Sequence, residues 1–199
     1  MFYKIALVVC RFILAFAFRI KAVGNENVPL EGGCILAHNH RSYLDPILAA
    51  LTCKRKARFM AKSELFNNKL FGKLITSLGA FPVQRGKGDI GAIKSTLSML
   101  KEDQLVLMFP EGKRVFSEDD EKITRAKPGA VMIAARAKVP IQPAYISGKV
   151  GFMQKLTVTY GEPIYLDEYY DKKLTVEELQ EISDKMMKTI RSLKVKKEK

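Results

Sequence analysis

Short apolar runs and longer stretches of helical period take turns along this chain. The runs at 34–38, 57–61, 80–84, 104–109, 140–145 and 155–160 have the length and the branched or aromatic content of buried strands. Between them, 46–52, 64–78, 89–101 and 128–138 space their apolar residues three and four apart, as with Leu65, Phe66, Leu70, Leu74, Ile75 and Leu78, or Ile90, Ile93, Leu97 and Leu100. That spacing lines one face of a helix. Pro128 opens the fourth helix, and Thr175 with Glu178 makes a capping box ahead of a last helix over 176–193. Strands alternating with helices predict a single α/β domain, a mixed and mostly parallel sheet flanked by helices, over residues 24–193. No internal repeat is visible, and 194–199 reads as a basic, disordered tail.

The first 23 residues follow a different pattern. Ile5 to Ile20 is almost entirely apolar, but Arg11 interrupts it and the stretch is short for a membrane span, which needs about 20 residues. No small-residue cleavage site follows it, which disfavours a secretory signal. Lys4, Arg11 and Arg19 are seven and eight residues apart. On a helix they fall within about 80° of one another. A basic stripe on a greasy helix predicts an amphipathic segment, residues 1–23, lying flat in a membrane interface; the competing reading is a core helix whose cations face water.

Composition narrows the partner. A net charge of +13 demands something acidic. The cations are clustered: residues 1–63 hold ten Lys or Arg against three acids, with Lys54-Arg55-Lys56-Ala57-Arg58 among them, and 185–199 hold seven against one. Nucleic acid and anionic membrane both satisfy that charge, and the greasy N-terminus favours the membrane. Three cysteines, Cys10, Cys34 and Cys53, include no C-x-x-C pair, so neither a disulfide framework nor a zinc site is indicated and a reducing, cytoplasmic side is expected. The chain's two histidines, His38 and His40, sit together in an extended segment, which disfavours a His-based metal centre.

The candidate chemistry lies at the end of the first buried run, in Asn39-His40-Arg41-Ser42-Tyr43-Leu44-Asp45-Pro46. Strand ends are where α/β folds place reacting groups. Five residues along a helix turn through about 500°, which would put His40 and Asp45 on different faces, so His40 must precede the helix. Asp45 at the N-cap and Pro46 at the first helical position supply a start, and the turn between can fold imidazole against carboxylate. Such a pair is a general base, the carboxylate fixing the tautomer while the other ring nitrogen accepts a proton. Taken alone, Asp45 reads more simply as a helix cap.

Three further blocks follow in order: Gly79-Ala80-Phe81-Pro82-Val83-Gln84-Arg85, Phe109-Pro110-Glu111-Gly112-Lys113-Arg114 and Val139-Pro140-Ile141-Gln142-Pro143. With Asn-His-x4-Asp they make the chain resemble the glycerolipid acyltransferases, in particular the 1-acylglycerol-3-phosphate acyltransferases, over roughly residues 34–145. The resemblance implies that His40 is the base and Asp45 its partner, and that Arg85, Glu111, Gly112 and Arg114 shape the site for the glycerol phosphate. It also implies a phosphate-facing Lys62 and a Pro140 turn beside the acyl site. Lys113 stands where the family usually has threonine, and Val115 where it often has serine. Singly, Arg85 and Lys113 read as solvated surface cations, and Glu111 as a group that orients cations. The implied activity moves a fatty acyl group from acyl-CoA or acyl-ACP to the sn-2 hydroxyl of 1-acyl-glycerol-3-phosphate, forming phosphatidic acid, with no bound cofactor or metal. The expected partners are an anionic membrane surface on the cytoplasmic face, a lysophospholipid and acyl carrier protein. Glycerol-3-phosphate or another lysolipid is the alternative acceptor.

Two other classes compete. Gly86-Lys87-Gly88-Asp89-Ile90-Gly91 fits the dinucleotide pattern G-x-G-x-x-G, with Glu111 twenty residues beyond. That glutamate falls inside the Phe-Pro-Glu-Gly-Lys-Arg block with two cations behind it, and the loop reads more simply as a helix start. A nucleic-acid module would interleave aromatics with its cations, whereas here they sit in the greasy helix and the strands.

Overall fold

The computed structural model describes residues 18–83, 90–117, 124–148 and 153–195, together with Val8. Seven strands make one sheet: β1 (Phe18–Val23), β2 (Cys34–His38), β3 (Ala57–Lys62), β4 (Ala80–Val83), β5 (Leu105–Met108), β6 (Ile141–Ser147) and β7 (Gln154–Tyr160), in the order β1-β7-β6-β2-β5-β3-β4. The helices are α1 (Asp45–Thr52), α2 (Lys69–Ser77), α3 (Ile90–Lys101), α4 (Gly129–Ala137) and α5 (Val176–Ser192). Strands β2 to β6 all run parallel. β7 is antiparallel to β6, and β1 is parallel to β7. The expected single α/β domain with a mixed, mostly parallel sheet is thus what forms.

Every residue of the central strand β2 is buried, because both faces of the sheet are covered. Cys34 and Leu36 pack toward Leu48 and Ala49 of α1. Ile35 and Ala37 point the other way, toward Val131 and Ala134 of α4 and Met186, Met187 and Ile190 of α5. This two-sided burial makes 34–38 a continuous apolar run. It also leaves the strand's carboxyl end as the one place where its chain can present polar groups.

The directions of the strands define that place. Five strands, β2 to β6, end at one edge of the sheet, and β7 and β1 begin there, since Phe18 pairs with Gln154 just ahead of the Ser147–Thr157 pairing. β1 therefore begins at the edge where β2 delivers His40.

Two expectations need correction. Residues 18–23 are not the end of a helix but an edge strand, with Phe18 buried and Arg19 paired to Lys155 in register. The alternation Phe18, Ile20, Ala22 against Arg19, Lys21 is the period of a strand, and it places Ile20 against the core. Arg19 thus stands on a strand and not on a helical stripe with Lys4 and Arg11. Those two, with the rest of the proposed interfacial helix except Val8, lie outside the described residues. The helix expected over 64–78 divides into a 3₁₀ turn, Ser63–Phe66, and α2. The break is made by Asn68, whose side-chain oxygen accepts from the backbone N–H groups of Leu70 and Phe71. The Lys54–Arg58 run starts β3 at the opposite edge of the sheet, away from His40. The tail beyond Val195 is outside the described residues, as are Gln84 to Asp89, the bulk of the G-x-G-x-x-G stretch.

Candidate active site

Asn39 fixes where the chain leaves β2. Its buried amide bridges to β6, Nδ2 donating to the Ile146 carbonyl at 3.2 Å and Oδ1 accepting from the Ile146 N–H at 2.7 Å. A side chain that satisfies both backbone groups of a neighbouring strand cannot slide, so His40 leaves the sheet at a set position.

The loop after β5 holds His40 from both sides. The His40 N–H donates to Glu111 Oε2 at 2.7 Å, and the His40 carbonyl accepts from the Val115 N–H at 2.7 Å. Its imidazole stacks on Phe109, centroids 4.0 Å apart and planes 17° from parallel. Gly112 turns this loop with φ 67°, and a Cβ there would lie 2.5 Å from the Lys127 side chain. A left-handed position against another side chain is a place for glycine.

Nδ1 of His40 lies 2.7 Å from Asp45 Oδ2. The same oxygen accepts from the backbone N–H groups of Arg41 and Ser42 at 2.6 and 2.7 Å. The expected N-cap role is therefore displaced by one residue: Leu44 is the cap, Asp45 the first helical residue and Pro46 the second. The carboxylate turns back to tie the 41–42 turn instead of capping α1. Only 1% of the Asp45 side chain is exposed, against 15% for His40. A dry carboxylate at a helix N-terminus thus backs an imidazole that reaches solvent. With Nδ1–H donated to Asp45, Nε2 keeps its lone pair for an incoming proton.

The cations sit around this pair unequally. The Arg114 guanidinium lies 3.7 Å from the centroid of the Tyr43 ring and 5.5 Å from that of Phe116. Stacking engages the face of the guanidinium and leaves its in-plane N–H donors for an anion. Lys62 ends β3 at the same edge, exposed, two strands and about 10 Å across from β2. Lys113 is exposed. Arg85 falls among the residues not described, just beyond β4, which ends at this edge. Pro140 is not brought together with the others: its carbonyl accepts from the Ile35 N–H at 3.1 Å, at the opposite edge of the sheet. It ends the loop from α4 into β6, and so does not flank His40.

Sequence reasoning missed the roles of Asn39, Tyr43, Phe109 and Phe116. Only Asn39 and Phe109 had a signal, as neighbours of recognised site residues at strand ends. His38 faces α1 and is fully buried. Burial lowers its pKa to about 4, an effect the nearby Asp45 charge opposes. Among the described residues, no three His, Cys, Asp or Glu side chains gather as a metal site.

A strand-end imidazole backed by a buried carboxylate is an arrangement able to act as a general base. Comparison with known proteins gives the family. The family model described as Acyltransferase matches residues 19–147. The 1-acyl-sn-glycerol-3-phosphate acyltransferase of Bacillus subtilis is 34% identical over 173 residues, 84% of each chain. That of Streptococcus pneumoniae is 35% identical over 159 residues, 76% of this chain and 57% of its own length. The crystal structure of the 1-acyl-sn-glycerophosphate (LPA) acyltransferase of Thermotoga maritima superposes with a TM-score of 0.74 over 99% of this chain and 81% of that one, at 23% identity, and so supports the fold. This chain belongs to the acyltransferase family.

Proposed function

We propose that this enzyme transfers a fatty acyl group from a thioester, acyl-CoA or acyl-ACP, to the sn-2 hydroxyl of 1-acyl-glycerol-3-phosphate, forming phosphatidic acid. The observation that carries the reading is the 2.7 Å contact between His40 Nδ1 and Asp45, which leaves Nε2 as the ring nitrogen available to a substrate proton. The names of the relatives supply the acceptor.

The chemistry follows from what a thioester needs. Its thiolate leaves readily, so no covalent acyl-enzyme is required; the demand falls on the alcohol, whose proton must depart as oxygen attacks. Nε2 of His40 takes that proton while the hydroxyl oxygen bonds to the carbonyl carbon. The imidazolium is held by Asp45. When the tetrahedral intermediate collapses, the C–S bond breaks and the proton passes to the departing sulfur, restoring neutral His40. Positioned bases of this kind contribute about 10²- to 10⁴-fold. Arg114 and Lys62, with Arg85, clamp the phosphate and orient the hydroxyl; Glu111 and Gly112 hold the loop that carries Arg114 against His40.

The acceptor is a bilayer component, so the enzyme works at an anionic membrane surface, on the cytoplasmic face where the donors are. No helix among the described residues is long and apolar enough to cross a membrane. The test is to incubate the purified protein with a labelled acyl donor, as the CoA and the ACP thioester in turn, and with 1-acyl-glycerol-3-phosphate, glycerol-3-phosphate, other lysophospholipids and monoacylglycerol. Phosphatidic acid as the dominant product supports the reading. Preference for glycerol-3-phosphate would move the enzyme to the previous acylation.

A further inference from the structure

The outward face of α2 breaks the rule that a helix turns its large apolar residues to the core. Leu70 is 82% exposed, and Phe71 and Leu74 are each 43% exposed; Leu65, on the preceding 3₁₀ turn, is 44% exposed. Leu70, Phe71 and Leu74 share an arc about 100° wide. The helix packs instead through its other side, where Ile75 meets the core and a Cβ on buried Gly72 would lie 3.1 Å from the Phe66 carbonyl. Packing this tight on the inner side leaves the larger residues outside, which core formation does not explain.

Position and charge say what the face meets. β3 ends at the His40 edge, and α2 runs from there back to Gly79, whose carbonyl accepts from the Phe59 N–H. Leu65, Leu70 and Phe71 thus sit at the catalytic end of the helix, with Leu74 one turn below. Lys62, Lys69 and Lys73 are all exposed beside them, and Glu64 is the one acid between residues 62 and 77. Apolar residues flanked by lysines, level with the site, match the headgroup zone of an anionic bilayer.

We infer that α2 with the preceding 3₁₀ turn is a membrane-docking surface, inserting Leu65, Leu70, Phe71 and Leu74 into an anionic leaflet while Lys69 and Lys73 meet the headgroups. The inference rests on the reading that the acceptor is drawn from a bilayer. Seated there, the face holds the β3 side of the catalytic edge against the leaflet.

The chain contains no tryptophan, so Leu70→Trp puts a single reporter at the most exposed position of the face. Val176→Trp, at a comparably exposed position at the start of α5, is the control, because α5 ends near Ser147 at the catalytic edge and begins at the other. With vesicles of brominated phosphatidylglycerol, the indole emission of Leu70→Trp should shift to the blue and be quenched, and that of Val176→Trp should do neither. In the full chain, replacing Leu70, Phe71 and Leu74 together by Asn should cut co-flotation with phosphatidylglycerol vesicles roughly 10-fold, while the rate on detergent-dispersed acceptor stays within about 2-fold. Unquenched emission from Leu70→Trp overturns the proposal. So does emission already blue before vesicles are added and unmoved by them, which would mean the chain covers its own face. A triple variant that converts a dimer to a monomer in sedimentation also overturns it, assigning the face to a second copy. Quenching needs no substrate, so its failure leaves the acyl-transfer reading standing, and a change of acceptor leaves the docking surface standing.

Discussion

Two arginines at opposite edges of the same sheet have been put to opposite uses. Arg55, at the edge where the parallel strands begin, donates to four carbonyl oxygens, those of Pro29, Glu31, Gly32 and Asp103, at 2.6 to 3.2 Å. It stitches the loop before β2 to the turn before β5. Arg114, at the edge where those strands end, lies over the exposed Tyr43 ring at 3.7 Å, with the exposed Phe116 ring at 5.5 Å. One cation has its donors taken up by the fold; the other is held by its face, which suits an anion arriving from solution. The lesson concerns net charge: in a basic chain, only geometry tells which cations face a partner.

The sharpest way to break this comparison is to remove Arg114. Arg114→Ala should lower kcat/KM for 1-acyl-glycerol-3-phosphate roughly 100-fold and leave any residual reaction with uncharged monoacylglycerol nearly unchanged, because a charge-assisted phosphate contact is lost in one case only. Equal losses on both acceptors would make Arg114 structural. Glu111→Ala should cost somewhat less, about 10- to 50-fold in kcat with both acceptors alike, since it frees the His40 backbone and not the phosphate. Glu111→Gln, which keeps an acceptor oxygen, should recover much of that loss. Arg55→Ala should do the reverse, lowering unfolding stability by about 2 kcal/mol in urea titration with little change in kcat.

The smallest effect sharpens the comparison from the catalytic side. His38 holds its neutral form down to about pH 4 in the folded chain but takes up a proton near 6.5 when unfolded. Between those values the unfolded state binds more protons, so stability falls as pH falls through that window. By pH 5.5 the loss attributable to His38 should be about 1 kcal/mol, visible as a shallower acid limb in His38→Leu than in the parent. An unchanged acid limb would mean that the imidazole is not held neutral.

Most of the fold was legible because most of it is two-sided. Continuous apolar runs such as Cys34–Ala37 and stripes at helical period fix strands and helices when both faces of a sheet are covered. β1 was not, although Phe18-Arg19-Ile20-Lys21-Ala22 alternates; the apolar stretch before it masked a six-residue strand that buries only its first side chain. Pairing of His40 with Asp45 was legible from spacing. What spacing could not carry was how the turn closes, with Asp45 tying the backbone of residues 41 and 42 in place of capping α1. Likewise the Arg114 stack depends on Tyr43, 71 residues earlier in the sequence, and no local pattern announces such a contact. Pro140 stands at the edge opposite His40 because a motif gives an order along the chain, and the sheet sends its strands' two ends to different edges.

The central claim is that His40, held by Asp45, removes the proton of the acceptor alcohol. The direct measurement is the single-turnover rate of labelled acyl transfer to 1-acyl-glycerol-3-phosphate by His40→Ala, beside the parent and alongside an unfolding curve for each. A rate lower by about 10³-fold or more, with lipid association and stability preserved, is the predicted result. A His40→Ala rate within tenfold of the parent would contradict it.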